Sequence, residues 1–211
     1  KHGLAEIDHW LRHNETDVYR VGINCLPGRE SDVYSLDEHY RSNPLIIGFS
    51  NRHIYRQALE LRTPLVERTG VDYPPGVYLR HISGNAERRS TSWVNELEAE
   101  AAVEIAIDLL GESFISNVGI VTPFRPQVNL INEILERRRI TGIEAAAVDA
   151  FQGDERDAMV FSPVMARGMR PGTVAWASQE NRVNVAVTRA REVLVVVADT
   201  DFCKAQDGMI K

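Results

Sequence analysis

Along this chain the apolar residues switch between a period of two and a period of about 3.6, and the switches mark out its elements. After Asn43-Pro44 a helix is predicted, with proline at its first position and Ile47, Ile54 and Ala58 along one face. Pro64 and the Pro74-Pro75-Gly76 cluster then mark a loop, and residues 77–82 read as a strand. Asn95 with Glu98 makes a capping box for a helix carrying Ala99, Val103, Ala106, Ile107 and Leu110. Residues 118–121 form a short buried strand. Phe124, Val128, Ile131 and Leu135 then stripe a helix that ends near Arg137-Arg138-Arg139. Residues 145–148 and 158–164 read as strands, 181–190 as a helix and 193–198 as a closing strand. The first 35 residues are only weakly periodic, with a turn at Pro27-Gly28.

Strands alternating with amphipathic helices imply an α/β fold, a mostly parallel sheet with helices on both faces. Ligands of such sheets sit at the carboxyl ends of strands, which directs attention to the loops after Val121, Val148 and Val164. The expected divisions are an N-terminal segment at 1–35, one domain at 36–203 and a tail at 204–211.

Composition changes this picture little. At 211 residues, 44% hydrophobic and 26% charged, the chain suits one sizeable soluble core. No apolar run approaches the roughly 20 residues of a membrane helix, so no membrane partner is expected. The chain opens on Lys1 without an apolar leader, so export is not expected, and the missing initiator Met suggests a fragment. Cys25 and Cys203 stand far apart, as free thiols of a reducing cytoplasm do. His9 and His13 have helical metal-ligand spacing but no third ligand near them in sequence, so no metal site is expected. A formal charge of −6 argues against holding nucleic acid by bulk electrostatics, but allows a few placed contacts.

Four segments carry candidate chemistry. Asn181-Arg182-Val183-Asn184-Val185-Ala186-Val187-Thr188-Arg189-Ala190-Arg191 sets three arginines among small apolar residues. On the predicted helix Arg182 and Arg189 share a face while Arg191 points elsewhere. Guanidinium groups projecting from a packed helix suit a phosphate, and a solvated surface helix fits the same residue types equally well. Val148-Asp149-Ala150-Phe151-Gln152-Gly153-Asp154-Glu155-Arg156-Asp157 follows a strand. Its glycine lets backbone approach a ligand, and Glu155 could accept from ribose hydroxyls; the plain alternative is an acidic turn. Thr122-Pro123-Phe124-Arg125-Pro126-Gln127 joins a strand to a helix start, a phosphate cradle or an ordinary βα turn. Tyr40-Arg41 before Asn43-Pro44 offers an aromatic face beside a guanidinium, or a core tyrosine beside a salt-bridged arginine.

In this order the four segments resemble the superfamily-1 helicases of the 5′-to-3′ branch. Residues 36–44, followed by Phe49-Ser50-Asn51-Arg52-His53-Ile54-Tyr55, look like the opening of the second motor domain. Residues 122–127 resemble motif IV, 148–157 motif V and 181–191 motif VI. The resemblance implies a RecA-like, P-loop-NTPase fold that completes an ATPase with ATP and Mg²⁺ as cofactors. It implies that Arg189 is the arginine finger, that Arg41 is a second γ-phosphate arginine and that Tyr40 stacks on the base. Gln152, Gly153 and Glu155 match positions that approach the phosphates and ribose, and Arg182 would serve the nucleotide or the interdomain contact. Thr122, Pro123 and Phe124, with Arg125, match the strip along the nucleic-acid backbone. The implied partners are single-stranded nucleic acid, with DNA favoured over RNA, and the first RecA-like domain of the same full-length chain. Ala147 and Ala150 stand where family members often carry a hydroxyl, which weakens the case for side-chain contacts from motif V.

The chain has no G-x-x-x-x-G-K-[ST] and no Gly-Lys pair, so it carries no P-loop of its own and should not hydrolyse ATP alone. The apolar run 194–197 before Ala198-Asp199 mimics a Walker B segment, yet Thr200 follows where a glutamate is wanted, and it reads as a core strand. Two rivals stand beside the helicase reading. One is a non-catalytic nucleic-acid-binding or regulatory module derived from a helicase; the other is an unrelated nucleotide-binding domain, which would need a glycine-rich phosphate loop that this chain lacks.

Overall fold

A computed structural model describes residues 36–151 and 154–206. The readings placed on 1–35, including His9, His13 and Cys25, on Gln152 and Gly153, and on 207–211 lie outside the described residues. The core is a five-stranded parallel sheet in the order β3-β9-β8-β6-β7. Its strands are β3 (Gly76–His81), β6 (Val118–Thr122), β7 (Ile143–Ala147), β8 (Arg156–Phe161) and β9 (Ala190–Ala198). The central strands read as near-continuous apolar runs because both of their faces are covered. Ile120, Val160, Val193, Val195 and Val197 face α2 (Glu96–Leu110) and α3 (Arg125–Arg137). Val121, Met159, Phe161 and Leu194 face the opposite layer, which contains Ile46 of α1 (Pro44–His53) and Val183 and Val187 of α5 (Glu180–Val187). Two small pairs flank the sheet. β1 (Glu38–His39) runs parallel to β2 (Glu60–Leu61), and β4 (Glu87–Arg89) forms a hairpin with β5 (Ser92–Val94). Two short helices, α4 (Pro171–Ala177) and α6 (Thr200–Lys204), complete the chain order. No described helix is long and apolar enough to cross a membrane.

Several predicted boundaries move, each for a local reason. The first helix ends at His53, and Arg56 and Gln57 have positive φ, so Ile54 and Ala58 fall outside its buried face. On α2 the buried stripe is Ala99, Ala102, Val103, Ile105, Ala106 and Leu109, whereas Ile107 is exposed. The strand expected at 158–164 starts two residues earlier and stops at Phe161. The domain boundary at 203 falls inside a helix, since α6 runs to Lys204. Asp199, the Walker B look-alike, is buried and caps α6 by accepting from the Phe202 N–H at 2.9 Å.

Only half of the predicted capping box forms. The Asn95 side chain accepts from the Glu98 N–H at 3.2 Å, but Glu98 reaches back only to the Asn95 side-chain amide, at 3.5 Å, and not to its backbone N–H. Gln127 takes that place: its side chain accepts from the Asn95 N–H at 2.9 Å and donates to the Asn95 carbonyl at 3.1 Å. The fully buried Glu98 carboxylate instead accepts from the Ser162 hydroxyl and the Val164 N–H, both at 2.7 Å. Val164 has φ 63°, a left-handed conformation costly for a β-branched residue, and Glu98 holds its amide there. Burial pushes the Glu98 carboxyl up to about 8, against the opposing hydrogen bonds from Ser162 and Val164. This knot ties the start of α2, the start of α3 and the loop after β8 at the carboxyl ends of the central strands.

Candidate functional site

Arg189 lies in the turn between α5 and β9, because the helix predicted for 181–190 ends at Val187. Arg182 and Arg189 therefore do not share a helical face. The Arg189 guanidinium folds back on its own domain, donating to the carbonyls of Val185 at 3.2 Å, Phe151 at 3.4 Å and Asp154 at 3.2 Å, and to the Thr188 hydroxyl at 3.3 Å. Burial and then the nearby charge of Arg41 hold its pKa below the ordinary arginine value, while Glu155 opposes that shift. One carboxylate organises the ion pairs beside this turn.

That carboxylate is Glu155. It pairs with Arg41 at 2.5 Å and lies 3.7 Å from Arg191, which also lies 3.7 Å from Asp157. Arg191, expected to point elsewhere, joins the cluster because β9 begins at Ala190 and brings it beside the start of β8. Arg156 ties the floor of the cluster, pairing with Asp154 at 2.7 Å and with Glu144, its guanidinium 5.6 Å from the centre of the Phe151 ring. The backbone bond from Asn43 N–H to the Arg191 carbonyl, 2.7 Å, fixes the Tyr40-Arg41 segment against β9. His39 accepts from the Ser42 N–H at 2.9 Å; burial and then Arg41 hold its pKa below the usual histidine value, which favours the neutral acceptor ring. Tyr40 is 67% exposed, with its hydroxyl bound to Glu38, so the ring is available to stack. Glu38, His39, Tyr40, Arg41 and Glu155 line an open recess at this edge.

The other expected residues divide. Arg182 stays apart from the Arg41–Glu155–Arg191 group; its guanidinium lies 3.8 Å from the centre of the Trp176 ring and 3.9 Å from Asp149. Thr122, Pro123 and Phe124 are buried, and the Thr122 hydroxyl accepts from the Phe124 N–H at 3.4 Å, a long contact. The strip expected to run along a strand thus turns these side chains inward, because β6 is a central strand with both faces packed. Arg125, at the first turn of α3, is the exposed side chain of the four. Sequence reasoning missed Tyr55, whose hydroxyl accepts from the Asn184 side chain at 2.9 Å beside this cluster. A non-local contact of that kind leaves no periodic trace in the sequence. His81, Asp199 and Asp201 also approach one another, but both ring nitrogens of His81 already contact Thr200 and Ser83.

The clustered arginines gather at the amino ends of β8 and β9, at the other end of the sheet from the Glu98 knot and not at the carboxyl ends to which the sequence directs attention. The helix-covered parallel sheet defines the chain as a RecA-like α/β domain. Residues 20–201 match the family described as an AAA domain, and the chain belongs to that family. It is similar to a probable helicase of Dictyostelium discoideum, at 31% identity over 81% of this chain and 18% of the relative. The Arabidopsis thaliana homolog of regulator of nonsense transcripts 1 is 29% identical over 81% of this chain and 15% of its own length. The probable helicase senataxin of Homo sapiens is 30% identical over 87% of this chain and 7% of its own length. The chain thus spans less than a fifth of each of these relatives. A solved C-terminal domain of a possible DNA helicase from Lactobacillus plantarum superposes with a TM-score of 0.46 at 15% identity, over 75% of this chain and 86% of that one. These helicase relatives agree with the resemblance read from motifs IV, V and VI: the chain is a second RecA-like domain of the superfamily-1 helicase type.

Proposed function

We propose that this domain completes the ATPase of a nucleic-acid helicase, acting across a cleft on ATP held by the first RecA-like domain of the full-length protein. The observation that carries the reading is the gathering of Arg41 and Arg191 on Glu155, beside the turn that holds Arg189 against the Asp154 carbonyl. Guanidinium groups gathered around a single carboxylate are better satisfied by a multivalent phosphate than by that carboxylate. In this reading Arg189 exchanges its carbonyl contacts for the γ-phosphate, as arginine finger, and Arg41 releases Glu155 to become the second phosphate arginine. Glu155, once released, is free to accept from ribose hydroxyls, and Tyr40 offers its ring to the base. Asp154, Glu155 and Asp157 are engaged by arginines, so the ligands for Mg²⁺ are assigned to the first domain. When bound, ATP supplies the phosphoryl transfer whose completion lets the two domains open again. Relatives include a DNA polymerase alpha-associated DNA helicase as well as a regulator of nonsense transcripts, so DNA is no longer favoured over RNA, and the partner is simply single-stranded nucleic acid.

The test compares the purified 211-residue chain with the full-length protein. The chain alone should show negligible ATPase activity, and the full-length protein should show hydrolysis stimulated by single strands. Stimulated hydrolysis by the isolated chain, abolished in an Arg189→Ala control, would overturn the two-domain reading.

Two further outcomes follow from the geometry. Tyr40→Ala should raise KM for ATP about tenfold, since stacking contributes on the order of 1–3 kcal/mol, with kcat little changed. An unchanged KM would remove Tyr40 from the nucleotide site. Arg125→Ala should weaken strand binding equally across sequences and lower the salt slope by about one unit. A changed base preference, or an unmoved slope in a salt titration, would end its assignment to the phosphate track.

A further inference from the structure

Resting on the proposed function, we infer that Trp176 is a positioning residue that couples strand occupancy at the Phe124-Arg125 turn to Arg189 at the end of α5. Nothing in the sequence motifs singles Trp176 out; it lies on α4, between the segments resembling motifs V and VI. The structure sets its indole between residues of two of those motifs. The Phe124 ring centroid is 5.5 Å away, and the Arg182 guanidinium lies 3.8 Å from the ring centroid. Phe124 is buried directly before the exposed Arg125. Arg182 is the third residue of α5, the helix whose last turn leads into Thr188 and Arg189.

Arg182 has little else to hold it. Its Nε is buried without a hydrogen-bond partner, and its ion contact with the highly exposed Asp149 is long at 3.9 Å. The guanidinium therefore rests chiefly on the indole, an attraction that depends on where the ring lies. Neither α4 nor α5 has a side-chain cap at its N-terminus, so the backbone there is lightly tied. A displacement of Phe124 on strand binding is thus passed through Trp176 to Arg182. From there it reaches the turn in which the Thr188 N–H and hydroxyl are both bonded to the Asn184 carbonyl, at 2.9 and 2.8 Å. A contiguous chain of contacts of this kind, from a strand-facing turn to a phosphate-facing arginine, can carry nucleic-acid stimulation of turnover.

The test is the ratio of ATP turnover with and without a saturating single-stranded homopolymer, poly-dT or poly-U, in the full-length protein. Trp176→Ala should lower this ratio about fivefold, the equivalent of losing about 1 kcal/mol of cation–aromatic contact. Basal turnover and homopolymer affinity should stay within about twofold of the parent. Trp176→Phe, which keeps a ring under Arg182, should restore at least half of the lost stimulation, and it carries the test alone if the alanine variant does not fold: its ratio should then fall below the parent's by a smaller factor. Arg182→Gln should lower the ratio less in the Trp176→Ala background than in the parent, since the two changes break one contact. A ratio unchanged in Trp176→Ala, or in Trp176→Phe where that variant stands alone, overturns the coupling. So does a proportional fall of basal and stimulated turnover, a phenylalanine variant no better than alanine, or full additivity with Arg182→Gln. If the parent shows no stimulation by either homopolymer, the proposed function fails along with the coupling, an outcome distinct from the loss of coupling alone.

Discussion

Arg189→Ala in the full-length protein is expected to lower ATP turnover by about a thousandfold, the lower end of what arginine fingers contribute, while strand affinity stays close to the parent's. The physical basis is positional. Arg189 sits in a backbone-held turn, where carbonyl contacts that it can exchange for the ligand's phosphate hold its guanidinium in place. Arg189→Lys is expected to remain severely impaired, because an ammonium cannot reproduce the planar fork whose Nε, Nη1 and Nη2 now donate to the Val185 carbonyl, to the Phe151 and Asp154 carbonyls and to the Thr188 hydroxyl. Steady-state kinetics at saturating single strand make the measurement. Turnover within about twofold of the parent in both variants would identify Arg189 as an ordinary surface residue.

The second large effect concerns stability. Glu98→Ala should destabilise the domain by about 3 kcal/mol, because it leaves the buried Ser162 hydroxyl and Val164 N–H without their acceptor and opens a cavity. Glu98→Gln should behave differently, since its amide oxygen can accept from both donors without a buried charge. The pH dependence has a definite sign. Burial raises the Glu98 carboxyl from 4.5 to about 8, so the folded state keeps a proton that the unfolded chain releases. This contribution is fully present below about 4.5 and is lost as pH rises through about 8, above which the slope ends. Urea unfolding of parent and Glu98→Gln between pH 4 and 9 should therefore give a difference that favours the glutamine variant more with rising pH. A parallel pair of curves would show that Glu98 keeps an ordinary carboxylate pKa in the folded protein.

The elements of the domain were legible in the sequence wherever burial imposes a period. The apolar runs at Val118, Ala158 and Val193, and the stripe Phe124, Val128, Ile131 and Leu135, read directly because a doubly covered sheet leaves those positions no polar alternative. The family resemblance was legible for a related reason: four segments kept their order and residue types. Sequence by itself also put Tyr40, Arg41, Glu155 and Arg189 forward as candidates, though not how they meet.

Tertiary structure decided the partners. Helix ends depend on contacts several elements away, so α5 stops at Val187 and frees Arg189 from the face it was expected to share with Arg182. Gln127 displaces Glu98 from the capping box because α3 packs its first turn against Asn95, a juxtaposition of residues 32 apart in sequence. Thr122 and Phe124 turn inward because β6 lies inside the sheet, between β8 and β7, an order of strands that no local pattern encodes. Arg191 joins Glu155 and Asp157 only because parallel β8 and β9 are neighbours. Periodicity records whether a side chain is buried. Which charge it meets is a property of the assembled fold, since electrostatic and hydrogen-bonding partners are chosen by distance in space.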